Sequence, residues 1–582
     1  MRSVPHKAHR EGLSRLSRYV EGRWLTVIWL AIVATGQAAA LSGGWLLVRA
    51  AIDNGISKGD EHYLTKVVIA YIGVGAIGWV LSAMLIKGLA RLGQSVVLGL
   101  RRDLFAHLTS LSLRYFSEQR AGWIIARLTS DVDAISDAMS QGLPTLAANV
   151  VLLPTAIIAV FIVDWRLGMI AFVVLPPALI LTRWFQRRSS VAQLDVRNRI
   201  AAVTAHMAES VSGMAIVQAF NRERAFQDEF DVLNNANRSA NVYTQALLSV
   251  FFPSIEMLGV ISTGAVLLLG AQLYHHGEIT IGSLITATYL LQLVFQPLQE
   301  LSDVYGQVQS AAAAMIKISS VLDAERDIED RTGAVPMPEI EGRLSLDDIV
   351  FAYGDNEVLH GVSAEVDAGG CLALVGQSGG GKSTVAKLIA RFYDPVAGAV
   401  RVDGIDLRDV QLRTYRRQLG VVLQDPFLFS GTIADNIRFA RPDATDEQVR
   451  ETAAAVGVDR VAARLHGGLD HEVREGGAGL SAGERQLISI ARALLADPRI
   501  LILDEATSNI DRPTEIQIER ALDRLLHGRT SVIIAHRLAT VRRADEILVV
   551  DHGLVIQRGP ESELLAEEGP FRRLAHELGG VG

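Results

Sequence analysis

The stretch Cys371-Leu-Ala-Leu-Val-Gly-Gln-Ser-Gly-Gly-Gly-Lys-Ser383, followed by "TVAKLIARF", decides how the second half of the chain folds. An apolar run, a glycine-rich turn and a helical pattern follow one another, which reads as strand, loop and helix. Residues 376–383 satisfy the spacing G-x-x-x-x-G-K-[ST] in the context that spacing demands. Gly376, Gln377, Ser378, Gly379, Gly380 and Gly381 offer successive backbone N–H groups to a β-phosphate, and Thr384 lies next in line. Lys382 is expected to reach the β and γ oxygens, and Ser383 to give an oxygen to Mg2+.

Two further apolar runs end in residues of matching chemistry. "RILILDEATSNID" closes on Asp504, expected in the Mg2+ shell, and Glu505, free to orient or deprotonate an attacking water. "SVIIAH" puts His536 at its carboxyl end, where a donor can reach a γ-phosphate. A lone histidine there is more often structural; three strand ends meeting at one crevice favour the functional reading.

Upstream, the charged and proline-bearing segment 321–340 reads as a linker between residues 1–320 and a soluble domain at 341–582. The chain of 582 residues is 49% hydrophobic, and its mean hydropathy of +0.26 calls for a membrane part. Crossing about 30 Å of hydrocarbon takes around 20 apolar residues. Runs of that kind lie near 24–50, 66–90, 143–164, 166–186, 245–271 and 279–305, predicting six membrane-spanning helices. A basic leader before the first run is also the start of a signal peptide, but the run is too long for one and five others follow.

Arginines crowd the N-terminal lead and the connections after the second and fourth runs, so the termini and both long loops are expected in the cytoplasm. The loops keep helical periodicity, so the spans should continue as helices beyond the bilayer. Within the spans Glu256 is a candidate functional carboxyl or a structural one. Gln37, Thr286, Thr288, Gln292 and Gln296 either line the same cavity or bond helix to helix. His275 and His276 read as a solvated turn rather than a metal site, and the single cysteine, Cys371, as an inert small hydrophobe. A net charge of −8 argues against a nucleic-acid partner.

The motifs at 376–383 and 500–505, Gln424 in "VVLQDPFLFSGTI", "LSAGERQ" at 480–486, "SNID" ending at Asp511, and His536 together resemble the nucleotide-binding domain of ATP-binding cassette (ABC) proteins. With six spans before it, nearly the whole chain resembles an exporter-type (type IV) half-transporter: a membrane α-helical domain plus an α/β P-loop domain. The resemblance implies ATP and Mg2+ as ligands and ATP hydrolysis coupled to transport. Tyr353 would stack on adenine, and Gln424 would touch Mg2+ and sense the membrane domain. "EVREGG" around Glu475 would meet coupling loops near 116–131 and 206–220. It also implies that two cassettes close head to tail, each ATP lying between one chain's 376–383 loop and the other chain's signature helix.

Here the family pattern Leu-Ser-Gly-Gly-Gln becomes "LSAGE". Ser481 and Gly483 remain as phosphate ligands; Ala482 and Glu484 depart from it. A Cβ at Ala482 can hold a γ-phosphate off, while Glu484 either faces phosphate or merely complements the helix dipole. A weakened signature beside an intact Glu505 is similar to the catalytic-glutamate chain of heterodimeric multidrug and lipid exporters. A heterodimer with a second half-transporter is therefore favoured over a homodimer. The expected activity is export or flipping of small amphipathic compounds across a cell inner membrane; import of a chelate or vitamin and an ATP-gated channel are the alternatives.

Overall fold

A computed structural model of the protein describes residues 19, 22–504, 511–535 and 537–579. They divide into two compact units. One takes in Arg120–Ala324 and the described residues up to Thr109; the other joins Ser110–Gln119 to the chain from Glu325 onward.

The first unit is helical. Its long segments are Trp24–Ile56, Glu61–Leu108, Ala121–Val163, Trp165–Ser212, Glu223–His275 and Ile281–Leu322. Their starts are fixed by polar caps at the short turns: the Asp60 carboxylate accepts from Tyr63 N–H at 2.9 Å, Asp164 from Arg166 N–H at 2.8 Å, and the Thr280 hydroxyl from Ser283 N–H at 3.2 Å. The polar turn "DWR" thus ends one helix and caps the next. Helices of 48 and 53 residues run about 70–80 Å, more than twice a hydrocarbon core. The expectation that the spans continue as helices holds.

Five helices are long and apolar enough to cross a membrane, and in the sixth the qualifying apolar stretch among the described residues is the shorter Ile281–Phe295.

Packing between the spans is aromatic and small-residue in character. Phe185 stacks on Phe251 at 4.1 Å between the fourth and fifth helices, and Trp45 on Tyr289 at 4.2 Å between the first and sixth. The third helix is interrupted by two π-helical turns, Arg127–Asp131 and Ala138–Gly142.

The second unit carries twelve strands among its described residues: β1 Leu344–Tyr353, β2 Asn356–Val366, β3 Cys371–Val375, β4 Ala397–Val402, β5 Ile405–Asp406, β6 Leu419–Val422, β7 Gly431–Thr432, β8 Glu472–Val473, β9 Ile500–Asp504, β10 Thr530–Ile534, β11 Glu546–Asp551 and β12 Leu554–Gly559. A six-stranded sheet has the order β12-β11-β3-β10-β9-β6, parallel except for β12 at its edge. β3, β9 and β10 are buried along nearly their whole length, as parallel strands covered on both faces require. β2-β1-β4-β5 form an antiparallel sheet beside it, and β7 pairs with β8.

Parallel register aligns the strand ends. Ile534 lies opposite both Leu374 and Asp504, and Val422 opposite Leu503. The loops that leave β3, β6, β9 and β10 therefore emerge along one carboxyl edge, the usual place for a ligand crevice in an open α/β sheet.

Candidate functional site

The loop after β3 is shaped by positions that exclude a side chain. Gly376 has φ +145°, and a Cβ there would stand 2.0 Å from the Val550 carbonyl oxygen. Gly381 has φ +106° and caps the helix Lys382–Ile389. Gln377, Ser378 and Gly379 are exposed, Gly380 is buried, and Ser383 is exposed at the first turn of the helix. The Lys382 side chain bends back into the loop, its ammonium donating to the carbonyls of Gly376 and Gln377, both at 2.8 Å. Burial pushes its pKa below the ordinary 10.5, and the charge of Asp504 partly offsets this. An ammonium held among loop carbonyls at the end of a parallel strand is a cation waiting beside a row of N–H donors, suited to an anion with several oxygens.

Asp504 ends β9 on the same edge, and Gln424, exposed, stands two residues beyond β6. With Ser383 they supply a carboxylate, an amide oxygen and a hydroxyl, the hard oxygen donors that suit Mg2+. Thr384 is buried and lies 3.4 Å from the Tyr353 hydroxyl. Tyr353 packs edge-on against Phe351 at 4.8 Å and Tyr393 at 5.3 Å, which places an aromatic ring beside the loop. Glu505, His536 and the "SNI" of 508–510 lie outside the described residues. Asp511 is described: it caps the helix Arg512–Leu526, accepting from Thr514 N–H at 3.2 Å and the Thr514 hydroxyl at 3.0 Å, and these bonds hold its carboxyl below the usual range.

The turn at 480–486 has a different interior. Ser481 caps the helix Ala482–Ala496, and its hydroxyl accepts from Glu484 N–H at 3.3 Å. One Glu484 oxygen accepts from Ser481 N–H at 2.9 Å, and the other from the Arg464 guanidinium at 3.1 Å. This is a capping box: S-x-x-E, a pattern visible in "SAGE". Glu484 is folded back on its own helix start, which agrees with the dipole-complementing reading. Gly483 is buried and Ala482 exposed, with its N–H at the open end of the turn.

Elsewhere the polar candidates divide. The Thr286 hydroxyl donates to the Trp45 carbonyl at 3.1 Å on the first helix, which is the helix-to-helix bond weighed above, while Thr288 donates to Leu284 on its own helix. Glu256 and Gln292 are exposed, Gln37 is half-buried, and the side chain of Gln296 lies outside the described residues. His276 sits 2.7 Å from the Gln272 carbonyl, and His275 is exposed. Burial pushes the Cys371 thiol up to about 12, which removes the thiolate at neutral pH. Glu475 is exposed.

Two polar pairings that a linear reading does not reveal join the third helix to the sixth. Asn149 donates to Glu300 at 2.8 Å, and Asp131, paired with Arg127, also meets Lys317 at 3.3 Å. Their signal was the isolated acid Glu300 inside an apolar run; the partners are some 150 to 190 residues apart.

The family models agree with both halves. Residues 26–298 match the ABC transporter transmembrane region, and residues 359–508 match the ABC transporter model. An "uncharacterized ABC transporter ATP-binding protein YknV" of Bacillus subtilis is 37% identical over 563 residues, 96% of this chain and 93% of that protein. The chain belongs to the ABC transporter family. It is an exporter-type half-transporter of that family and hydrolyses ATP to drive transport, and ABC exporters of this build work as dimers in a lipid bilayer.

Among other relatives, an "ATP-dependent lipid A-core flippase" of Syntrophus aciditrophicus is 33% identical, covering 97% of this chain and 94% of the flippase. A "multidrug efflux ATP-binding/permease protein" of Mycobacterium tuberculosis is 36% identical over 98% of this chain, which spans 47% of that longer protein. Among solved structures, a bacterial Atm1-family ABC exporter with ATP bound superposes with a TM-score of 0.79 at 28% identity, over 96% of this chain and 98% of the exporter.

Proposed function

We propose that this ABC half-transporter exports or flips amphipathic, lipid-like or drug-like compounds by alternating access, as one half of a dimer whose cassettes face the cytoplasm. The observation that carries the reading is the seat of the first loop. Ser110–Gln119, far upstream in the chain, folds into the cassette unit. The Ser112 hydroxyl donates to Asp327 at 2.8 Å, and the Arg114 guanidinium lies 5.9 Å from the centre of the Tyr393 ring, itself edge-on to Tyr353. A segment between two spans is thereby tied to the aromatic ring beside the phosphate loop, so nucleotide binding has a path to the helices. The relatives named for lipid A-core and multidrug efflux support the amphipathic substrate class.

The tip of the second loop supports a partner chain. The short helix Met214–Ala219 and Phe220 stay with the helical unit, and Ile216 and Phe220 are 67% and 73% exposed. Apolar side chains presented at a loop end await a second cassette. A different chain is favoured there, because Ala482 and Glu484 depart from the family signature while this chain's own 376–383 loop matches the G-x-x-x-x-G-K-[ST] spacing in full.

In this reading Ser383, Gln424 and Asp504 would hold Mg2+, which would neutralise charge on the transferring phosphoryl group. Lys382 and the N–H groups of 376–381 orient the β and γ oxygens, and Tyr353 positions the base. Glu505 takes the proton of the attacking water, and His536 donates to a γ oxygen. ATP favours the closed cassette pair, and the linked helices rearrange with it. Gentle solubilisation and mass spectrometry test the pairing: a second, different half-transporter should copurify in equal amount. Recovery of this chain alone as an active homodimer that transports would overturn the heterodimer. ATP-dependent accumulation of an amphipathic probe should appear in inside-out vesicles and not in right-side-out ones.

A further inference from the structure

Between the fourth helix, Trp165–Ser212, and the fifth, Glu223–His275, lies an open groove of about 960 Å³. It sits just beyond the apolar runs 166–186 and 245–271, where Arg187, Arg188 and Tyr243 mark its mouth. Arginine and tyrosine are the side chains that settle at the level of lipid headgroups. Beyond the mouth Val191 and Ala192 line the groove with Ala236, Ser239 and Ala240, and Asp195 and Arg199 lie further along the fourth helix.

Charge in the groove is unbalanced. Arg199 is paired with Asp195 at 3.0 Å, one turn away on the same helix. Among the described residues Arg187 and Arg188 have neither an ion-pair nor a hydrogen-bond partner, so the four ionised groups leave a net positive charge concentrated at the mouth. Two unpaired guanidiniums over a neutral, narrow-walled cleft match a phosphate carried by a bulky headgroup, and their place beside the spans lets its acyl chains remain in the leaflet.

We propose that this groove docks the anionic headgroup of a lipid from the adjoining leaflet, its phosphate on Arg187 and Arg188 and the rest of the headgroup along Val191–Ala240. The inference rests on reading these helices as spans with this end cytoplasmic, and narrows the amphipathic substrate to an anionic lipid.

The whole transporter, with its partner, is placed in nanodiscs of equal phosphatidylglycerol and phosphatidylcholine, and native mass spectrometry counts the lipids retained on release. Wild type is expected to keep phosphatidylglycerol in preference to phosphatidylcholine. Arg187→Gln/Arg188→Gln should lose that preference by about thirtyfold, from the attraction that two basic side chains exert near a membrane surface. Val191→Trp, which fills the cleft and leaves its charge, should also release the lipid, whereas Arg224→Gln outside the groove should not. Glycerol 1-phosphate in solution should fail to displace the lipid; displacement at equal concentration would make the site one for a free anion and overturn the lipid assignment. Equal retention in all variants, or a cysteine at 191 that cross-links to the partner chain in every nucleotide state, would overturn the groove. ATP hydrolysis measured on the same samples separates the two readings: hydrolysis and amphiphile transport without selective lipid retention sink only the groove, and absence of nucleotide-driven transport sinks the function beneath it.

Discussion

The helix that begins at Lys382 and the helix that begins at Ala482 open in opposite ways. The first starts from glycine turns and turns an ammonium inward against its own loop carbonyls. The second starts from a serine cap and turns a carboxylate inward onto its own first N–H. Both starts have the same surplus of N–H donors and the same dipole. One leaves those donors for a ligand and adds positive charge, while the other meets part of the demand from within the chain. A helix N-terminus is thus only half of an anion site; the side chain folded over it decides whether an anion is welcome.

Four experiments press on that contrast, in falling order of expected effect. Glu505→Gln should cut steady-state phosphate release by about a thousandfold, within the range that loss of a general base produces, while ATP stays bound. Continued release alongside retained ATP would remove Glu505 from its assigned role. Gly376→Ala drives a methyl into the Val550 carbonyl and should abolish ATP retention and lower the unfolding temperature, at a cost of about 1–3 kcal/mol. Unchanged nucleotide binding would show that the loop tolerates what its geometry forbids.

The third experiment is a pH titration. Burial lowers the pKa of Lys382, so its charge is lost, as pH rises, before the ordinary value of 10.5 is reached. ATP retention measured by equilibrium filtration should weaken within that interval, and Lys382→Met should bind weakly and without the dependence. Last, Glu484→Gln keeps the capping geometry and removes the charge. It should strengthen ATP capture between the two chains two- to fivefold, the size of a dipole-adjacent charge. Ser481→Ala removes the cap itself and should cost about 1 kcal/mol and weaken capture. A Glu484→Gln variant that binds ATP less well would mean that the carboxylate assists the site.

Much of the cassette was legible because its information is local. The strand-loop-helix run at 371–392 and the apolar run ending in Asp504 each declare themselves within a dozen residues. The three caps of the helical unit, at Asp60, Asp164 and Thr280, are similarly local, as with "DWR". The capping box at Ser481 and Glu484 is equally local, its S-x-x-E spacing lying within four residues of sequence.

What escaped the sequence is non-local. Ser110–Gln119 belongs to the cassette unit through Asp327 and Tyr393, more than 200 residues away, which no local pattern announces. Glu256 drew notice as a carboxyl within a span and proves exposed, while Glu300, passed over, is the one held by Asn149. Hydropathy reports that a charge sits in an apolar run; only the packing reports who answers it.

The seat of Ser110–Gln119 also constrains the order of assembly. That decapeptide leaves the ribosome roughly 200 residues before Asp327 does, a wait of about 10–40 s at an elongation rate of about 5–20 residues per second. During it, Leu113–Glu118 has no cassette to dock on, so the upstream spans must insert and hold their hairpin unaided. Conversely, a truncation that begins at Glu325 lacks the Ser112 and Arg114 partners of Asp327 and Tyr393, and its solubility and melting temperature report what the decapeptide adds to the cassette.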